Sequence, residues 1–287
     1  MKNVLVLIGK RLDEVALQAA RETLRAGGAT VGAPDWLAPG LACDLPFDGP
    51  VSPVLLPGVD AVALPAANRR KRLLVADMES TMIENEMLDE LADFLGLRDR
   101  ISAITARAMN GEIDFEGALK ERVGLLKGMA VGKLDEAAQR IRYVAGGGTL
   151  IATMRKHGAA CALVSGGFTH FTALVRARLG FDHEAANRLE HDGSVLAGTV
   201  AAPILGKDAK LATLDKLCAE HGIARSDALA VGDGANDLPM LQAAGLGVAF
   251  HAKPTVAAQV AARIDHGDLT ALLYLQGYHR QDFVEGT

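Results

Sequence analysis

Residues 73–81 read Leu-Leu-Val-Ala-Asp-Met-Glu-Ser-Thr, a four-residue apolar run that stops on a carboxylate, Asp77, with a second carboxylate, Glu79, two residues later. A short, continuous apolar run is the mark of a strand buried on both faces, and such strands belong to parallel sheets covered by helices. The same pattern recurs downstream. Apolar strands are expected at 159–164, ending at Ser165, at 228–232, ending at Asp233, and at 246–250. Helical text separates them at 149–157, up to about 179, at 208–221 and at 237–244. Alternation of this kind predicts a parallel α/β sheet, and ligands of such sheets bind beyond the carboxyl ends of the strands. Asp77, Ser165 and Asp233 are therefore expected to converge on one crevice.

Between the first of these strands and residue 149 the text is mostly helical over 84–143, with Met87, Leu88, Leu91, Phe94 and Leu95 spaced for one helix face. Gly146-Gly147-Gly148 reads as a closing loop and a candidate hinge, and Asp192-Gly193 as a hairpin turn. Upstream, 3–8 predicts a strand, and Leu12 to Ala26 a helix stopped by Gly27-Gly28. Residues 35–65 are rich in Pro, Gly and Asp and predict loops with one or two further strands around runs such as Val54–Leu56. The cluster Arg69-Arg70-Lys71-Arg72 reads as a solvated boundary. No repeat or low-complexity tract interrupts the chain.

At 287 residues the chain has room for about two domains. Hydrophobic residues at 49% and charged residues at 23% exclude a disordered chain. Thirty Lys and Arg against 35 Asp and Glu leave −5, which does not supply the basic surface of a nucleic-acid or anionic-membrane binder. The expected partner is a small solute. Aromatics at 4%, with Trp36 the single Trp, leave an aliphatic core suited to helices on a sheet. Cys43, Cys161 and Cys218 are far apart, with no CxxC pair, and read as reduced thiols. The apolar run Val4–Ile8 is cut off by Lys10, Arg11 and Asp13, and no stretch reaches the roughly 18 apolar residues of a membrane span, so a cytoplasmic location is expected.

The residues at the strand ends suggest chemistry. Asp77 and Glu79 on one segment, and Asp233 and Asp237 around two glycines on another, would repel one another unless a hard cation with oxygen ligands held them, for which Mg²⁺ is the default. Ser165-Gly166-Gly167 offers a hydroxyl and a glycine turn opening a helix, with backbone donors for a phosphate, and Lys210 could add a point charge. The eight histidines show no metal-binding spacing, although His170 and His251 lie near the motifs as candidates for outer-sphere support.

Asp77-x-Glu79-x-Thr81, Ser165-Gly-Gly, Lys210 and Gly232-Asp-Gly-Ala-Asn-Asp237 resemble, in order and spacing, the four motifs of the haloacid dehalogenase phosphatases. More narrowly, residues 73–268 resemble the phosphoserine phosphatases among them, through Glu84-Asn-Glu86, the segment 109–115 from Met109 to Phe115, and Arg122-Val-Gly-Leu-Leu-Lys127. The resemblance implies a Rossmann-like α/β core over 69–287, with a helical cap at about 84–145 inserted after the first core strand. Residues 1–68 resemble, more weakly, a small α+β extension with a regulatory or packing role.

What the resemblance implies about the site is specific. Asp77 is the nucleophile that forms an aspartyl-phosphate. Mg²⁺ is held by Asp77, Asp233 and the Glu79 backbone carbonyl, with Asp237 acting through water. Glu79 is the general acid and base, and Lys210 offsets phosphate charge. Ser165, the Gly166 amide and Asn236 hold phosphoryl oxygens. Glu86 and Arg122 read the ammonium and carboxylate of a phospho-amino acid, and Met109 and Phe115 close over it. Glu79 departs from the family, which has Asp there, yet keeps a carboxylate of similar reference pKa, about 4.3 against 3.9. The implied activity is Mg²⁺-dependent hydrolysis of O-phospho-L-serine in serine biosynthesis, and a homodimer is compatible with it. The alternatives are a phosphatase or phosphotransferase for another small phosphate such as phosphohomoserine, or a noncatalytic amino-acid-binding regulator.

Overall fold

A computed structural model of the chain describes residues 1–109 and 112–286, the side chains of Met109 and Lys207 excepted. The N-terminal part is an antiparallel sheet of β1 (Asn3–Gly9), β2 (Thr30–Val31), β3 (Asp35–Ala38), β4 (Ala42–Asp48) and β5 (Val59–Pro65), with one helix, α1 (Glu14–Ala26). β1 lies between β4 and β5, and β2 and β3 both pair with β4. Asp13 caps α1 by accepting the Ala16 N–H at 2.9 Å. Side chains alternate along β1. Leu5 and Leu7 pack with Leu17 and Leu24 of α1 and with Phe47, whereas Val4, Val6 and Ile8 belong to the central core of the molecule. Burial on both faces explains the continuous apolar run, each such side chain contributing roughly 1.5–3 kcal/mol.

Two expectations for this part are corrected. Residues 35–65 hold three strands, and Val54–Leu56 is not one of them: Val54 is buried, Leu55 is 81% exposed, and Leu56 makes a single bridge to Val59. The basic cluster is not uniformly solvated. Arg69 pairs with the buried Asp44 and donates to the Tyr274 and Leu275 carbonyls at 2.8 and 3.0 Å. Lys71 is buried and donates to the Asn68 and Ser226 carbonyls at 2.7 and 2.8 Å. These two cations satisfy carbonyls at the seam between the N-terminal sheet and the core.

The core sheet begins with β6 (Leu73–Ala76). A helical insertion follows: α2 (Met87–Asp93), α3 (Arg98–Met109), α4 (Phe115–Gly124) and α5 (Gly132–Ala138). The chain returns through α6 (Gly147–Lys156), β7 (Ala160–Phe168), α7 (Thr169–Leu179) and β8 (His183–Asn187), then the hairpin of β9 (Leu189–His191) and β10 (Leu196–Val200). It continues through α8 (Lys207–His221), β11 (Ala228–Gly232), α9 (Leu238–Ala243), β12 (Leu246–Phe250), α10 (Pro254–Ala257), β13 (Ala262–Ile264) and α11 (Ala271–Leu275). The six core strands are all parallel, in the order β13-β12-β11-β6-β7-β8. Leu74 and Ala76 of β6 join the apolar cluster of α6 and α7, while Leu73 and Val75 join that of α8 and α9. Both faces are therefore covered, as the apolar run predicts. The edge strands β8 and β13 are short and were not expected.

The insertion stands on a neck of two paired segments. Glu84 N–H donates to the Arg142 carbonyl at 2.8 Å, and Val144 N–H to that of Met82 at 3.0 Å. Asn85 Oδ1 accepts the Arg142 N–H at 2.8 Å. The glycine triplet is not the expected loop: Gly147 and Gly148 are buried in the first turn of α6, leaving Gly146, at φ +82°, as the turn. The β9–β10 hairpin joins the insertion, with Gly128 N–H donating to Leu196 O at 2.9 Å and Leu196 N–H to Met129 O at 2.8 Å. The three cysteines are free and buried. Among the described residues no helix is long and apolar enough to cross a membrane.

Candidate active site

β6 and β11 are neighbours in the sheet, so the residues that follow them meet at its carboxyl edge. Asp77 N–H continues the ladder to the Val231 carbonyl at 3.0 Å, and the Asp77 Oδ1 accepts the N–H of Met78 at 2.8 Å. Lys210, from the first turns of α8, lies between two carboxylates: its Nζ is 2.7 Å from Asp77 Oδ1 and 2.5 Å from Asp237 Oδ1. Asp237 Oδ2 also accepts the Gly234 N–H at 2.9 Å. Gly232 is required at the end of β11, because a Cβ there would stand 2.3 Å from the Asp237 carboxyl carbon.

Carboxylate oxygens of Asp77, Asp233 and Asp237 lie within 4.8 Å of one another. Burial and the Asp237 charge push the Asp77 carboxyl well above the usual range, against the pull of Lys210. Burial and the same neighbour push Asp233 up to about 6. Burial alone would lower the Lys210 ammonium, but Asp77 and Asp237 more than reverse this and hold it above its ordinary value. Lys210 faces Asp77 and Asp237, and Lys253 also acts on Asp233, yet the Asp77 and Asp233 carboxyls both stay above their ordinary range. Hard oxygen donors, crowded and under-compensated, fit a small divalent cation.

Glu79 is half-buried, and its Oε1 accepts the Met87 N–H at 2.7 Å. Burial, with Glu86 adding to it, pushes this carboxyl up to about 8, so it holds its proton near neutral pH in the metal-free chain. Its Oε2 lies 2.8 Å from where a Cβ at Gly167 would stand, so a larger residue at 167 would displace the Glu79 carboxylate. Glu86 is exposed at the start of α2 and accepts the Ser80 hydroxyl at 2.8 Å. Arg122, half-buried on α4, donates to the Ala118 carbonyl at 3.2 Å and touches Thr105 Oγ1 at 3.5 Å. Burial lowers its pKa, and Glu79 of the core with Asp89 and Glu86 of the insertion act against that.

Ser165 departs from expectation. β7 runs through Ser165-Gly166-Gly167 to Phe168, and α7 begins only at Thr169, so these residues are an irregular strand end and not a helix-opening turn. Ser165 Oγ accepts the Gly167 N–H at 2.9 Å. A cleft beside them is lined by Phe115, Ser165, Gly166, Lys210 and Asn236, and the Phe115 ring approaches within 3.2 Å of where a Gly166 Cβ would lie. The Met109 side chain, with Asn110 and Gly111, falls outside the described residues. His170 stands 3.2 Å from Asp135, between α7 and α5, and His251 contacts the Gly267 carbonyl at 2.9 Å.

One supporting residue was missed. Asn187 is buried at the end of β8, donates to the Gly166 carbonyl at 2.9 Å and accepts the Leu205 N–H at 2.8 Å. It ties the strand end that carries Ser165 to the segment entering α8, which carries Lys210. Its only signal in the sequence is an amide closing a short strand.

A family profile described as haloacid dehalogenase-like hydrolase matches residues 74–242. A phosphoserine phosphatase of Haemophilus influenzae is 43% identical over 203 residues, 71% of this chain and 65% of that one. The chain spans between 52% and 65% of the length of four such curated relatives. Among solved structures, a HAD family hydrolase of Salmonella enterica serovar Typhi superposes with a TM-score of 0.84 at 30% identity, over 95% of this chain and 97% of that one. A phospho-aspartyl intermediate analogue of phosphoserine phosphatase superposes with a TM-score of 0.66 at 38% identity, over 71% of this chain and 98% of the other.

Proposed function

The chain belongs to the haloacid dehalogenase-like hydrolases, and from that premise we propose that it hydrolyses O-phospho-L-serine to L-serine and phosphate through an aspartyl-phosphate on Asp77. The observation that carries the reading is the Lys210 ammonium held between Asp77 and Asp237 beside Asp233, at the carboxyl edge of a parallel sheet. Support for the substrate comes from the phosphoserine phosphatases that it resembles and from Arg122 and Glu86, two opposite charges on the insertion that match the carboxylate and ammonium of an amino acid.

Asp77 attacks phosphorus in line, and the phosphorus–oxygen bond to serine breaks as the bond to Asp77 forms. Glu79, whose carboxyl is pushed up by desolvation and by Glu86, gives its proton to the departing serine oxygen, and then removes one from the water that cleaves the aspartyl-phosphate. Lys210, Ser165, the Gly166 amide and Asn236 orient the phosphoryl oxygens, and Phe115 helps to exclude water from the cleft. Mg²⁺, fitting Asp77 and Asp233 with the Glu79 carbonyl and Asp237 in support, would supply positive charge between two groups that otherwise repel. Residues 1–68 serve as a packing extension in this reading.

The test is phosphate release from a panel of phospho-amino acids and sugar phosphates, with Mg²⁺ and with chelator. Preference for phosphoserine, lost with chelator and restored by Mg²⁺, is expected. Preference for a sugar phosphate, or full activity in excess chelator, would contradict the reading. Arg122→Ala should raise KM for phosphoserine roughly 10–100-fold, the worth of a charge-assisted hydrogen bond, and leave an aryl phosphate less affected. Equal losses on both substrates would make Arg122 structural.

A further inference from the structure

Asp60 is 4% exposed on β5, on the face of the N-terminal sheet that packs against the core. Its carboxylate accepts three successive backbone N–H groups of the turn after β13. Oδ1 takes Asp265 at 2.7 Å and His266 at 3.1 Å, and Oδ2 takes His266 at 3.2 Å and Gly267 at 2.8 Å. Among the described residues no cation pairs with it. A buried carboxylate held by amides alone fixes those amides firmly, since their displacement would strand a charge.

The turn it fixes leads to the site. The carbonyl of Gly267, the residue whose N–H donates to Asp60, accepts the Nε2–H of His251 at 2.9 Å. His251 N–H donates to the Ile264 carbonyl at 2.8 Å, and its ring stacks on Phe250 with centroids 4.2 Å apart. These contacts hold His251 at φ +43°, a conformation that residues other than glycine rarely adopt. Two residues on, Lys253 N–H donates to the backbone carbonyl of Asp233 at 3.4 Å.

We propose that Asp60 is a positioning residue for the Asp233 loop, acting through the 265–267 turn and His251, so that the N-terminal sheet sets the geometry of the metal-binding carboxylates. The inference rests on the reading of Asp233 as a metal ligand. It gives the N-terminal sheet a part in the site beyond packing.

The test is calorimetric titration of the full chain with Mg²⁺, in the parent, Asp60→Asn, His251→Ala and the double variant, with kcat and KM for phosphoserine measured alongside. Asn keeps the shape of Asp but turns an NH2 group onto amides that need an acceptor. His251→Ala breaks the relay at an exposed position, away from the sheet seam. Each single variant should bind Mg²⁺ roughly 10-fold more weakly, the low end for residues that orient a metal ligand. kcat at fixed Mg²⁺ should fall, with KM for phosphoserine unchanged, because Arg122 and Glu86 stand on the insertion. Losses in the double variant should be far less than multiplicative, since both changes cut one relay. Mg²⁺ affinity within twofold of the parent in folded variants, or fully multiplicative losses, would overturn the proposal. If Asp60→Asn fails to fold, His251→Ala decides alone by the same criterion. A parent that binds no Mg²⁺ would overturn the reading of the carboxylate cluster, and this inference with it.

Discussion

Asp77→Asn is expected to reduce phosphoserine turnover by roughly 10⁴–10⁶-fold, the scale on which removal of a nucleophile acts. The variant removes the attacking oxygen and leaves a neutral amide that cannot form an aspartyl-phosphate. It should nevertheless fold. In the metal-free chain, burial and Asp237 already push the Asp77 carboxyl well above the usual range, so Asn, an isostere of the protonated acid, enters an environment that disfavours the charge. Lys210 keeps its contact with Asp237 at 2.5 Å, so no unpaired buried cation is left behind. The expected result is a chain without activity whose Tm in chelator is equal to or above that of the parent. A melting temperature well below the parent would show that Asp77 acts as a structural anchor, and activity within tenfold of the parent would remove it as the nucleophile.

Glu79→Gln should lower turnover of phosphoserine by roughly 10²–10⁴-fold while binding of substrate and Mg²⁺ persists. Gln fits the same space beside Gly167 and can still accept the Met87 N–H, so the geometry that holds the side chain is kept and only the proton is lost. The chemistry makes a sharper test available. An aryl phosphate has a leaving group that departs without a proton, so its first step should be spared, whereas the water that attacks the aspartyl-phosphate still needs a base. The variant should therefore release a burst of about one equivalent of phenolate and then stall. Glu79→Asp should keep substantial activity. Phosphoserine turnover at the parental rate in Glu79→Gln would move the acid and base elsewhere.

What the sequence made legible follows from burial. β6, β11 and β12 are covered on both faces and short, so each appears as an unbroken apolar run with polar residues immediately after it. That juxtaposition carries Asp77 and Asp233 to one edge without any knowledge of the contacts. The turn expected at Ser165-Gly166-Gly167 is absent because β7 continues to Phe168 with an irregular register against β8, although two adjacent glycines promise a turn. Arg69 and Lys71 are charged and adjacent to other cations, and it is the Asp44 carboxylate with the carbonyls of residues 68, 226, 274 and 275 that compensates their removal from water. Asp60 was not visible at all, since the amides it binds lie 205 to 207 residues away. Polar residues whose partners are distant backbone groups leave no periodicity to read.

The central claim is that phosphate passes through Asp77. The direct measurement is to mix the enzyme and Mg²⁺ with phosphoserine labelled in the phosphoryl group, quench in acid within the first turnover, reduce the acyl phosphate with borohydride and map the modified residue by mass spectrometry. The account predicts labelled protein before the quench is completed, a reduced residue at position 77, and no label in Asp77→Asn. Turnover without any phosphorylated protein, or reduction at a residue other than Asp77, would contradict it.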